Sequence, residues 1–266
     1  MDACPPLPRA FFRSVADMAR LVVRFAILAV LAGLSWLVLS RLRYHWDWSA
    51  VWAYRSIFLD GLGLTLAVSV VAITLGLCFG LLSGLASVSG NLVLSELAAL
   101  YVGAFRGTPL LVQILIFYFC VGVVVRVDSP FVIGTFTLSL FSGAYISEMV
   151  RAGVESVDHG QWEAAMSSGM TRGQALLHVV LPQAARRIVA PVTGQFVSCI
   201  KDSSLLSVIS LRELTKAAEV VNASTYRTFE TYLPLALLYL LLTWPLSHLT
   251  RRLERGIRNG MRETPR

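Results

Sequence analysis

Five long stretches of the chain contain no Asp, Glu, Lys or Arg: Phe25 to Ser40, Gly61 to Ser95, Gly107 to Val125, Ser129 to Ser147 and Thr231 to Thr250. A helix needs about 20 mostly apolar residues to cross the hydrocarbon core of a bilayer. Four of the runs reach that length or fall one residue short, and Phe25–Ser40 reaches it if Arg24 snorkels. A sixth segment, Ile188–Leu211, is apolar apart from the adjacent Lys201 and Asp202. Apolar residues occupy every face of these segments rather than one stripe, which excludes the amphipathic helices of a large soluble protein. The pattern predicts an all-α integral membrane protein with spans at about 21–40, 60–89, 107–126, 129–148, 188–211 and 231–250.

Two interruptions of the apolar pattern carry further information. In the second span, Ala72, Gly76, Gly80 and Gly84 recur every fourth residue and so share one face, where a neighbouring helix can approach closely. Between the fourth and fifth spans lies a polar stretch, 148–187, with Arg151, Glu155, Asp158, Glu163, Arg172, Arg186 and Arg187. A loop that long inside a compact protein is usually functional. Glu163-Ala164-Ala165 favours a helix, Gly169 interrupts it, Thr171 caps a second helix, and Pro182 is expected to close that one. The stretch therefore reads as a helix–turn–helix able to dock on another protein.

Composition agrees: 56% of the 266 residues are apolar and 15% charged, against about 25% charged in soluble domains. The net charge of +7 concentrates at membrane edges, which sets aside a nucleic-acid reading of the basic balance. Arg251, Arg252, Arg255, Arg258, Arg262 and Arg266 follow the last span, so the positive-inside rule places the C-terminus in the cytoplasm. Six crossings then put the N-terminus there too and leave 41–60 outside, where Arg41, Arg43 and Arg55 run against the rule. Tyr44, Trp46, Trp48, Trp52 and Tyr54 in that loop form an interfacial aromatic belt. Arg9, Arg13, Arg20 and Arg24 precede an apolar run with no small-residue cleavage site after it, so a retained helix is expected rather than a signal peptide. Cys4 has no apolar leader before it, and Cys78, Cys120 and Cys199 fall in spans as small apolar residues. His45, His159, His178 and His248 show no ligand spacing, so neither a metal site nor a catalytic constellation is expected. Neither lysine follows a glycine, so there is no phosphate-cradling loop with which to hydrolyse ATP.

The polar stretch also carries a resemblance. Glu163-Ala164-Ala165, three residues, Gly169, nine residues, then Val179-Val180-Leu181-Pro182 resembles the coupling-loop signature of ABC importer permeases, with Val179 where Ile is usual. Tyr101–Gln113, Ser142–Glu148 and Lys201-Asp202-Ser203-Ser204-Leu205 are similar to the polar amino-acid uptake branch, the histidine/glutamine permease type, with Ser203 where Thr is usual. The likeness runs from about residue 58 to 258 and implies a five-helix importer permease core, 57–258, with a cytoplasmic coupling loop. Residues 1–56, with one extra N-terminal transmembrane helix, and the tail 259–266 fall outside it. It further implies that Glu163, Ala164, Ala165, Gly169, Leu181 and Pro182 meet ABC ATPase subunits, which bind the ATP and Mg, with no cofactor in this chain. An extracytoplasmic amino-acid-binding protein and a second permease chain would complete a multi-pass assembly in the bacterial inner membrane, in contact with lipid and not with nucleic acid.

Polar groups inside spans mark candidate pathways: Gln113, Ser142, Tyr145, Gln195, Lys201, Asp202 and Ser203. A zwitterionic amino acid needs donors for its carboxylate, such as Lys201 or a hydroxyl, and acceptors for its ammonium, such as Asp202. The same residues equally suit interhelical or helix-end contacts. The competing class is a self-contained secondary transporter or channel, which needs no ATPase and commonly shows internal repeats; no convincing repeat is present.

Overall fold

The computed structural model describes residues 9–41 and 44–262, and every element among them is helical. It forms two compact units, Met1–Trp46 and Asp47–Arg266. The first consists of α1, Arg9–Arg41, whose continuous apolar stretch among the described residues is Leu21–Leu34. The tail expected at 259–266 is described only as far as Arg262, where the last helix ends.

The second unit begins with a short helix α2, Trp48–Trp52, and then α3, Arg55–Val88, the most apolar helix, with a mean hydropathy of 2.3 in its span. A turn at Ser89-Gly90 leads into α4, Leu92–Gly107, capped by the Asn91 side chain, which accepts from Val93 N–H and Leu94 N–H at 3.0 and 3.2 Å. α5, Leu110–Ile116, continues through a π turn, Phe117–Val121, into α6, Gly122–Val125. α7 spans Pro130–Glu155, α8 His159–Ser167 and α9 Arg172–Ala175. α10, Leu181–Asp202, tightens into a 3-10 segment, Ser203–Ile209, and α11, Leu214–Thr225, and α12, Thr228–Arg262, complete the chain.

α3 and α7 form the spine. A Cβ on Gly80 would lie 2.5 Å from Ile146 Cβ, one on Gly84 2.6 Å from Val150 Cβ, and one on Gly76 3.0 Å from the Ser139 carbonyl. The small-residue face expected from the sequence is therefore where the two backbones touch, and Ser83 and Ser147 hydroxyls bond across it at 2.9 Å. Within lipid, helix association relies on such close packing rather than on hydrophobic burial. Farther along α3, Gly61 admits α11: its Cβ would lie 2.8 Å from Ala217 Cβ. Glu213 caps α11 from a fully buried position, accepting from Thr215 N–H, Lys216 N–H and Tyr239 OH at 2.8–2.9 Å. Burial pushes the Glu213 carboxyl above the usual carboxylate range, and those donors pull it back.

The helix boundaries depart from the sequence expectation in three places. The span expected at 107–126 begins at a corner: α4 and α5 meet at 104°, and the pair together is apolar and long enough for one crossing. Pro109 has no N–H and forces Thr108 into extended backbone (φ −123°, ψ 148°), which ends α4 at Gly107. The polar loop expected at 148–187 shrinks at both ends. Glu148, Arg151 and Glu155 stand three and four residues apart, pair along one face and remain helical to the end of α7. Pro182, expected to close a helix, closes none: α9 passes through a π turn, Leu176–Val180, directly into α10, where Pro182 occupies the first turn. The π turn absorbs the missing donor, since Leu181 N–H reaches back to the Leu176 carbonyl. The span expected at 188–211 is accordingly the later part of a longer helical run.

Gly80→Val is expected to destabilise the purified protein by about 1–3 kcal/mol, because the added carbons overlap Ile146. Gly63→Ala, with nothing within 4 Å, should leave stability unchanged or raised; thermal unfolding in detergent compares the two.

Candidate functional site

α8 is a short helix held on the end of the bundle by contacts at its first turn and by two inward-facing side chains. Asp158 caps it, its carboxylate accepting from Gly160 N–H at 2.8 Å. Before that cap, Arg187 of α10 donates to the backbone carbonyl and the hydroxyl of Ser156. Along the helix, Gln183 donates to Gln161 Oε1 at 3.2 Å, Trp162 packs partly buried against the main core, and Ala165 is buried. At its far end Gly169 adopts φ +90°, with Gly169 N–H bonded to the Met166 carbonyl and Met170 N–H to the Ala165 carbonyl. This is a Schellman turn, which a glycine after the helix end accommodates without a Cβ penalty. Thr171 and Gln174 then form a reciprocal capping box that starts α9.

The signature residues divide by role in this geometry. Ala165 faces the bundle and Gly169 makes the turn, whereas Glu163, Ala164 and Pro182 are exposed and Leu181 is half-buried. The Glu163 side chain is 69% exposed and lies 3.3 Å from His159 one turn earlier. Beside it Met166, Met170 and Leu177 present exposed apolar surface, with Leu177 at 59%. Exposed apolar groups rimmed by charge mark a contact surface.

A second cluster joins the α4–α5 corner to the same end of α7. Gln113 of α5 donates to the Phe105 carbonyl, the Thr108 carbonyl and the Thr108 hydroxyl at 2.7–3.1 Å, so its amide closes the end of α4 across the bend. Arg106, one residue before the corner, lies 5.2 Å over the Tyr145 ring and 3.5 Å from Glu148. Glu148 also pairs with Arg151, which pairs with Glu155 at 2.7 Å. Two cations and two carboxylates thus run in sequence from the corner to the last residue of α7. Glu148, Arg151 and Glu155 have helical spacing, a signal present in the sequence; the part of Arg106 depended on a corner that periodicity does not mark.

The candidate pathway residues are not drawn together: no hydrogen bond or ion pair given for the described residues links the side chains of any two among Gln113, Tyr145, Gln195, Lys201, Asp202 and Ser203. Gln113 is buried and its amide nitrogen is occupied by the bend. Ser142 is fully buried where α7 meets Gly76. Ser203 is buried and donates to the Ile200 carbonyl at 2.8 Å. Gln195 is buried in α10. Lys201 remains exposed and Asp202 half-buried, at the junction of α10 with the 3-10 segment. Cys78 and Cys120 are exposed free thiols and Cys199 a buried one. Among the described residues no group of three His, Cys, Asp or Glu is placed to hold a metal ion.

Comparison with known proteins extends these observations. Residues 76–259 match the family described as binding-protein-dependent transport system inner membrane component. The glutamine transport system permease protein of Escherichia coli (strain K12) is 36% identical over 217 residues, covering 80% of this chain and 99% of that one. The probable glutamine ABC transporter permease protein of Bacillus subtilis (strain 168) is 38% identical over 206 residues, covering 76% and 95%. A crystal structure of an amino acid ABC transporter with histidines superposes with a TM-score of 0.74 at 35% identity, covering 80% of this chain and 100% of that one. An inward facing methionine ABC transporter, at 19% identity, shares the fold with a TM-score of 0.66.

Replacing Gln113 by Leu keeps the volume but leaves the Phe105 and Thr108 carbonyls without their donor. A loss of about 1–3 kcal/mol in stability is expected, read as a lowered midpoint of thermal unfolding; Gln113→Asn, too short to reach across the bend, should not restore it.

Proposed function

The chain belongs to the family of binding-protein-dependent transport system inner membrane components, and we propose that it is the permease chain through which a polar amino acid of the glutamine type enters the cell. Chains of this family are membrane-embedded, non-enzymatic subunits of ABC importers. The finer assignment, a cytoplasmic ATPase docked on α8, rests on one observation above all: a short helix fastened to the bundle at its first turn, with Glu163 and a patch of apolar side chains left exposed. A partner that grips this patch moves α8 as a rigid lever, since Arg187–Ser156 and Gln183–Gln161 tie it to α10 and the foot of α7. ATP and Mg would be bound by that partner.

The orientation we assign places α8 and the arginine-rich end of α12 in the cytoplasm, in line with the positive-inside rule. The end carrying α11 and the buried Glu213 then faces outward, towards an extracytoplasmic binding protein that delivers the amino acid. Among the described residues α3, α7 and α12, together with the broken α4–α5 pair, are long and apolar enough to cross a membrane; we assign further crossings to α10 and to α1. So few helices enclose no closed path alone, and a second permease chain across a two-fold axis supplies the other wall. Lys201 and Asp202 are the remaining candidates for the two charges of a zwitterionic substrate, because their side chains are not committed to helix backbone as those of Gln113 and Ser203 are. Tilting of α8 would then be converted into alternating access through α7 and α10.

Glu163→Ala and Gly169→Ala are expected to insert and fold but to uncouple ATP hydrolysis from uptake. Gly169→Ala additionally strains the turn at φ +90°, by about 1 kcal/mol. The assay is ATPase activity and glutamine flux of the complex in proteoliposomes, with binding protein loaded with each amino acid in turn. Stimulation by glutamine-loaded binding protein, lost in both variants, is the expected result. Normal coupled transport in both variants would remove α8 as the contact, and stimulation by another amino acid alone would reassign the substrate.

A further inference from the structure

The turn between α3 and α4 lies against α8, and a cavity of about 710 Å³ opens between them. Its polar lining comes from Ser87, Ser89, Asn91 and Ser95 on one side and from Glu155, His159 and Arg172 on the other, the three serine hydroxyls donating to the Gly84, Ala86 and Leu92 carbonyls of their own turns. The Arg172 guanidinium lies 6.0 Å over the Trp162 ring and reaches Gly90, where its Nη1 stands 4.0 Å from the position a Cβ would take. Among the described residues it makes no hydrogen bond or ion pair. The one carboxylate lining the cavity, Glu155, is already paired with Arg151 at 2.7 Å. A cation with no hydrogen bond, across the cavity from the Asn91 amide nitrogen and with the local carboxylate already paired, has the recognition chemistry of a phosphate.

One turn farther along the same two helices a second hollow begins, of about 430 Å³, lined by Leu82 and Ala86 of α3 and by Leu94, Leu97, Ala98 and Tyr101 of α4, among others. Leu92, Val93, Leu97 and Leu100 are each more than half exposed, so α4 presents an apolar surface beside this groove. A phosphate site with an apolar groove one turn away on the same two helices has the outline of a phospholipid. We propose that the α3–α4 turn and α8 together bind an anionic glycerophospholipid, its phosphate on Arg172 and one acyl chain along the α3–α4 groove. Its place in the cytoplasmic leaflet rests on the orientation given under Proposed function; the phosphate chemistry does not. Trp162 and Met166 of α8 form part of the cavity wall. The lipid therefore braces the helix on which the ATPase closes, and coupling should depend on the membrane's anionic lipid.

The test uses the permease–ATPase complex in nanodiscs containing phosphatidylglycerol with a photoactivatable acyl chain, competed with unlabelled phosphatidylglycerol, phosphatidylcholine or inorganic phosphate. Crosslinks are mapped by mass spectrometry. Labelling of the 82–101 segment is expected, displaced by about tenfold less phosphatidylglycerol than phosphatidylcholine, whose choline ammonium offsets the charge-assisted bond its phosphate makes to Arg172. Arg172→Gln should lower labelling about tenfold by the same reasoning. Ala86→Trp, which fills the groove without touching Arg172, should abolish it. Equal competition by the two lipids together with unchanged labelling of Arg172→Gln would overturn the proposal. So would displacement by inorganic phosphate alone, which means a free-anion site, or labelling only when the ATPase is absent, which means that the ATPase fills the cavity. Binding is read directly, so the result is independent of whether the Glu163 and Gly169 variants uncouple transport.

Discussion

At Gly76, Gly80 and Gly84 the backbone of α3 lies directly against α7, so close that a Cβ would meet Ser139, Ile146 or Val150. In lipid there is little hydrophobic gain from bringing two apolar helices together, so contact must come from van der Waals packing over a flat surface and from bonds such as Ser83–Ser147. Everything else is arranged around this pair. α4 crosses it, with Tyr101 OH donating to the Leu140 carbonyl at 2.6 Å. α11 rests on the other end of α3 at Gly61, and α10 meets α7 where Gly153 faces Ile188. A rigid spine of this kind transmits displacement from end to end instead of dissipating it between loosely packed side chains.

At the α8 end the spine is joined to its neighbours by a run of charged side chains. The chain of Arg106, Glu148, Arg151 and Glu155 leads from the α4–α5 corner to the foot of α7, and the clamp on α8 begins at the next residue, Ser156. These side chains are roughly a third to a half exposed, and ion pairs of that kind contribute only about 0–1 kcal/mol each. Their value lies in direction rather than in stability. They orient the corner relative to the loop, while Gln113 closes the corner's own backbone. The broken helix is therefore held by specific contacts on both arms.

Much of this was legible in the residues. Charge-free runs located α3, α7 and α12, because a bilayer imposes length and apolarity on any single helix regardless of its neighbours. The four-residue spacing of Ala72, Gly76, Gly80 and Gly84 marked the packing face, and Gly169 marked the turn that ends α8. The misreadings share one cause. Pro182 was taken by its local rule as a terminator, but a π turn can absorb a missing donor when α8 and α7 hold the helix on both sides. The corner at Pro109 lay hidden inside a uniformly apolar run, and the polar residues 148–155 looked like loop although they pair helically. Gln113 and Ser203 drew notice as polar groups in apolar surroundings; whether such a group faces a substrate or a backbone carbonyl depends on where other helices end.

The sequence by itself determined that this protein lives in a membrane and that its chain crosses as helices, properties that follow from composition and period, which are local. Its place among importer permeases came from the resemblance of its motifs to that family. Tertiary structure alone decided which polar groups are spent on holding the bundle and which remain available. It left Arg172 uncommitted beside a cavity, Glu163 exposed on a clamped helix, and Gln113 closing a corner. Commitment of a donor or an acceptor is a matter of distances between segments far apart in the chain, and those distances exist only once the helices have packed.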